Sequence, residues 1–219
     1  MGTITRSLSN NITTGGVILP AGITNDSVSA VTSFANASGA TLVLLSTQTA
    51  SSSATISFTT GLDSTYDVYE FHYINIKPAN DRVDFQFNAS TDSGSNYNVT
   101  KTTTTFYAAH NEADTVTSLS YDTGVDLAQS TAFQTLNTNQ GNASDECCTG
   151  VLQLFNPSST TYVKHFIFTG NHYANDDYMV NDFVEGYLNT TSAVNAIRFQ
   201  MSSGNIADGI IKLYGVKKS

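Results

Sequence analysis

Residues 198–219 read RFQMSSGNIADGIIKLYGVKKS, and this stretch decides the fold. Ile197, Phe199 and Met201 alternate with Arg198 and Gln200. Such alternation with period two belongs to a strand with one buried face, because successive side chains of an extended chain point to opposite sides. Ser202-Ser-Gly-Asn205 follows with turn chemistry, and a second apolar run spans Ile210 to Tyr214. Strand, turn and strand therefore carry the chain almost to its last residue, with no catalytic constellation among them.

The same pattern continues upstream. Runs with strand character lie at 41–49, 54–60, 67–77, 82–88, 97–107, 149–156, 161–170, 178–189, 194–201 and 209–215. Val83, Phe85 and Phe87 face one way, while Arg82, Asp84 and Gln86 face the other. The connectors TGLDST, KPANDR, STDSGSN, NPSST and MSSGN are rich in Gly, Pro, Asn, Asp and Ser, the residues that close tight turns. Short strands at this spacing predict an all-β fold, an antiparallel jelly-roll-like β-sandwich. Its expected core contains Ile56, Phe58, Phe71, Val83, Phe85, Phe87, Leu154, Phe166, Phe168, Ile197, Phe199 and Leu213.

Composition agrees. Ser, Thr and Asn supply about a third of the 219 residues, and only 12% are charged. Thr suits strands and Asn and Ser suit turns, whereas helical surfaces favour Glu, Lys and Gln. A net charge of −9 disfavours a phosphate-binding surface, since nucleic-acid affinity is mostly driven by cations; the tail lysines Lys212, Lys217 and Lys218 are the exception and read as a solvated end. No apolar run approaches the length of a membrane helix, and the opening MGTITRSLSNN lacks the apolar centre of a signal peptide. The N-x-S/T triplets are accordingly read as accidents of composition rather than glycan acceptors. The adjacent Cys147 and Cys148 are expected as free thiols, because neighbouring residues fall outside ordinary disulfide geometry.

Two regions depart from the strand rhythm. Residues 1–40 form an extended N-terminal arm whose apolar residues are Val17, Ile18, Leu19, Ile23, Val28, Val31 and Phe34. They are too few for a core of their own and too apolar for a free acidic tail, so the arm is expected to make an assembly contact. Residues 41–219 form the sandwich domain. Within it, 108–148 is expected as a long excursion between strands, with a short helix at 125–136.

The search for chemistry is brief. His72 and His165 lie mid-strand among aromatic residues and read as packing. His110 and His172 lie in HNEAD and NHYANDDYMVND without zinc spacing. The second segment is the richest in oxygen donors, and Asp176, Asp177 and Asp182 are the calcium candidates. It lacks the glycine and the closing glutamate of an EF-hand loop, so the preferred reading is a solvated acidic loop. No nucleophile elbow or phosphate loop occurs, and neither a cofactor nor enzymatic activity is expected.

Three segments carry a family resemblance: LVLLSTQTASSSATISFTTGLDSTYDVYEFHYINIKPAND, GVLQLFNPSSTTYVKHFIFTG and GYLNTTSAVNAIRFQMSSGNIADGIIKLYGV. From about Leu42 to Val216 the chain resembles the β-sandwich virion proteins of tailed, especially marine, bacteriophages. The resemblance implies a non-enzymatic virion protein, either a capsid decoration or a tail-fibre-like component, assembled in the cytoplasm of the bacterial host. It implies other virion proteins as partners and self-association, with a trimer favoured, and it carries over no catalytic residue. The alternative reading is a carbohydrate-binding, receptor-recognition module on the virion, contacting a host surface glycan. The excursion 108–148 and the Tyr/Asp loop 171–182 would then form its site.

Overall fold

The computed structural model describes residues 41–218. The arm residues Val17, Ile18, Leu19, Ile23, Val28, Val31 and Phe34 lie outside the described residues. Twelve strands follow one another: β1 (Leu42–Ser53), β2 (Ile56–Phe58), β3 (Val68–Pro78), β4 (Val83–Ser90), β5 (Lys101–Asn111), β6 (Thr117–Tyr121), β7 (Gln134–Gln140), β8 (Cys148–Phe155), β9 (Lys164–Ala174), β10 (Tyr178–Leu188), β11 (Ala196–Met201) and β12 (Ile206–Val216). The fold is all-β, as expected, and every pairing between these strands is antiparallel.

The strands form two layers. Hydrogen bonding links all twelve into one sheet, β1-β12-β3-β8-β9-β7-β4-β11-β2 with β10, β5 and β6 branching from β9; this sheet folds over between β9 and β7, so that eight strands (β6-β5-β10-β9-β8-β3-β12-β1) face the other four (β7-β4-β11-β2). The layers are joined on one side by a single residue pair, Gln140 opposite Ala174. On the other side, the short link from β1 to β2 carries the chain from the large layer to the small one. The expected all-β sandwich is present, but without the two equal sheets of a jelly roll, since eight strands face four.

Aromatic side chains fill the space between the layers. Phe199 of β11 packs against Phe71 of β3 at 5.4 Å and against Tyr73 at 5.2 Å between ring centroids. Phe58 meets Phe71 edge-on at 5.3 Å, Phe85 meets Tyr73 at 5.2 Å, and Phe87 meets Phe166 of β9 at 5.0 Å. Each pair crosses from one layer to the other. Burying one such ring contributes about 1.5–3 kcal/mol, and a well-oriented aromatic pair adds about 0.5–1.5 kcal/mol. All twelve residues expected in the core are buried.

Gly150 and Gly170 stand opposite each other on β8 and β9. A Cβ on Gly170 would collide with the Phe168 ring and the Thr149 carbonyl. The two glycines let neighbouring strands pair while a phenylalanine lies across them.

The region 108–148 corrects the expectation. It holds the end of β5 and all of β6 and β7, so much of it belongs to the sheets. No helix forms at 125–136. The segment instead runs alongside β5, where Thr103 N donates to Leu127 O, and Lys101 and Ser130 exchange both backbone hydrogen bonds. A neighbouring strand supplies the backbone partners that a helix would have supplied internally, and the Thr- and Gln-rich sequence suits that extended state.

Candidate functional site

The interior changes character toward the β7–β5 end. The inward positions of β5 are Lys101, Thr103 and Thr105, and those of β7 include Gln134, Asn137 and Gln140, all buried. Buried polar groups require partners. Thr103 Oγ1 donates to Gln134 Oε1 at 2.7 Å, and Lys101 Nζ donates to Ala132 O at 2.5 Å. Burial pushes the Lys101 ammonium down to about 8.

At the outer limit of this layer lie His172 of β9 and Asp182 of β10. The two 11-residue strands pair from Ala174–Tyr178 to Lys164–Leu188, and this register puts the even-numbered residues of both on the inner face. His172 and Asp182 are diagonal neighbours there, with Nδ1 to Oδ2 at 3.0 Å and side chains only 1% and 4% exposed. Asn137 Nδ2 donates to the same carboxylate oxygen at 2.8 Å. The carboxylate accepts at Nδ1, so that nitrogen carries the proton and leaves His172 Nε2 as the free ring atom. Among the described residues, His172 Nε2, Asn137 Oδ1 and both side-chain polar atoms of Gln140 have no hydrogen-bond partner.

Above this layer opens a cleft of about 390 Å³, lined by Tyr107, Asp122, Asn139, Asn175, Asp176, Tyr178 and His172 among others. β5 supplies Tyr107, the turn after β6 supplies Asp122, β7 supplies Asn139, and the β9–β10 hairpin supplies the rest. Asp122 accepts from Gly124 N at 2.9 Å. Asp176 takes the guanidinium of Arg82 at 2.5 Å. Asp84 lies behind the wall and accepts from Asn139 N at 3.0 Å. Burial raises the Asp84 carboxyl; the Asn139 hydrogen bond opposes the shift, and nearby Asp122 reinforces it.

The calcium candidates do not converge. Asp182 is buried on His172, Asp176 is held by Arg82, and Asp177 accepts from the Tyr173 hydroxyl at 3.2 Å. Among the described residues, no group of three or more His, Cys, Asp or Glu side chains is placed to hold a metal ion. His72 contacts Glu70 at 2.8 Å and packs on Tyr214, while His165 packs on Tyr187, as expected of mid-strand residues. His110 sits 3.1 Å from Asp114 at the exposed end of β5. Both cysteines are free, and burial raises each thiol.

The His172–Asp182 contact was missed in the sequence, although a signal was present. A hairpin turn at 175–177 gives residues of equal parity the same face. Asn137 carried no such signal, because β7 meets β9 at one residue pair only.

No protein-family model matches the chain, and no curated protein or solved structure matches it either.

Proposed function

We propose that this chain is a non-enzymatic structural component of a phage virion, a capsid decoration or tail-fibre-like protein assembled in the host cytoplasm. The observation that carries the reading is an apolar strip on the outer face of the large layer. Tyr121 of β6 stands opposite Phe106 of β5, which stands opposite Phe183 of β10. The Phe106 and Phe183 rings stack at 4.6 Å and 7°. Leu119, Tyr121 and Met179 flank them at 76%, 51% and 54% exposure. The strip ends at β6, which pairs only with β5 among the described strands. Exposed apolar surface beside an unpaired strand edge is the chemistry of protein–protein contact. A chain that assembles through its sheet face also accords with the resemblance of residues 42–216 to virion β-sandwiches. Self-association, as a trimer, and contact with other virion proteins complete the reading.

The test is quantitative mass spectrometry of purified particles with immunogold labelling. Hundreds of copies on the head identify a decoration protein, and about a dozen on the tail identify a fibre-like component. Absence from the particle overturns the proposal.

A further inference from the structure

We propose that β6 pairs with β6 of a second copy of this chain, antiparallel and about a two-fold axis through Leu119. The inference rests on the reading of this face as a contact surface, and it names the partner and the register.

Hydrogen bonding decides which backbone groups of β6 are free. Asp122 N donates to Thr105 O, and Asn111 N donates to Val116 O. Between these two bonds the register is unbroken, from Tyr121 opposite Phe106 to Thr117 opposite His110. In an antiparallel ladder alternate residues turn their backbone groups toward the same neighbour. Val116, Ser118, Ser120 and Asp122 therefore face β5, while Thr117, Leu119 and Tyr121 turn theirs toward the open edge.

These open groups are self-complementary. Antiparallel pairing centred on Leu119 sets it against the partner's Leu119, and sets Thr117 against the partner's Tyr121. Both pairs consist of edge-facing residues, so each exchanges N–H···O=C bonds in both directions. On the outer face the two leucines meet, which covers the most exposed large apolar side chain among the described residues. Tyr121 lies beside the partner's Thr117. No residue of β6 is charged, and Asp122 falls opposite the partner's Val116. The contact thus opposes no like charges, although the chain carries −9.

The other outer strands are less suited. β1, at the opposite edge of the large layer, breaks register between Leu44 and Ser46, and β2 has only three residues. Bulges, short strands, charges and prolines are the devices that keep sheet edges apart. β6 has no charge, no proline and no break in register. Each copy offers one such edge, so the contact closes at two copies and does not run on into a fibre. It crosses a two-fold axis and is separate from the threefold contact of a trimer.

Light scattering over a range of concentrations measures the mass of the purified full-length chain, of Leu119→Lys, of Leu119→Asp and of an equimolar mixture of the two variants. Leu119 is exposed and its backbone groups face away from β5, so both variants are expected to keep the far-UV spectrum of the unaltered chain. Each variant alone is expected to show half the mass of the unaltered chain, because like charges then stand opposite each other at the axis. The mixture is expected to restore the full mass, because opposite charges then meet there. The factor of two is read whatever the order of the remaining assembly, and presence on the particle is a separate measurement, so this inference and the virion reading fail separately. An unaltered chain with the same mass as its variants overturns the proposal, and so does a mixture that stays at half mass.

Discussion

Asp182 Oδ2 lies 3.0 Å from His172 Nδ1 and 2.8 Å from Asn137 Nδ2, so one carboxylate oxygen ties β10 to β9 and to β7 of the opposite layer. The layers share only a single residue pair on this side of the sandwich. The buried contact therefore acts as a polar clasp where the aromatic core has ended. Asp182→Ala strands two buried donors and is expected to cost about 2–4 kcal/mol, with Asp182→Asn costing less because it keeps an acceptor. Urea unfolding measures both, and an Asp182→Ala variant within about 0.5 kcal/mol of the unaltered chain refutes the clasp.

Phe199 contacts the rings of Phe58, Phe71, Tyr73, Phe85 and Phe87. Phe199→Ala is expected to destabilise the fold by about 3–5 kcal/mol. Truncating Tyr162, which is 71% exposed, should cost less than about 0.5 kcal/mol. Equal losses at the two positions would show that the core lies elsewhere.

Lys101 sets a pH dependence. Its folded-state value, about 8, is below the ordinary 10.5. Between these values the unfolded chain holds a proton that the folded chain has released, so stability rises with pH across that window. The penalty is fully present below about 8 and is on the order of 3 kcal/mol. Lys101→Met removes it. Denaturation at about pH 7.5 and pH 9.5 should show the variant's advantage shrinking at the higher pH. An advantage that grows with pH contradicts the burial of this ammonium.

Both cysteines are free, yet they differ in access: Cys148, the first residue of β8, is buried and Cys147 is partly exposed. In native protein a thiol reagent should modify Cys147 slowly and spare Cys148, since burial raises both thiols. After denaturation without reductant, two thiols per chain should react. Fewer than two would reveal a disulfide.

The arm offers a test of assembly. Deleting residues 2–40 is expected to lower the oligomeric mass in light scattering and to abolish particle binding. The physical ground is that a short apolar segment gains by adding a strand to an open sheet edge. Unchanged mass and unchanged particle binding would make the arm a passenger.

Strand positions were legible wherever alternation was strong. Phe85, Phe87, Ile197 and Phe199 announce their buried face through period two, and each of the ten expected runs overlaps a strand. Legibility failed at 117–121 and 134–140. In β6 the residues Thr117-Ser-Leu-Ser-Tyr121 have no buried apolar face, because the strand lies at an edge. In β7, residues 134–137 are buried on both faces with only Leu136 apolar. Alternation reports burial of apolar surface alone, so a strand whose buried groups are polar gives no such sign.

The sequence by itself determined an all-β chain, its aromatic core and the thiol state of its cysteines, because these follow from local alternation, turn chemistry and neighbour geometry. Tertiary structure alone decided that the layers hold eight and four strands, and that His172, Asp182 and Asn137 meet. It also decided that Asp176, Asp177 and Asp182, within seven residues of one another in the chain, part toward Arg82, Tyr173 and His172. The physical reason is that strand order and cross-layer contact depend on pairings between residues far apart in sequence, whose free energy is realised only when the whole sandwich closes.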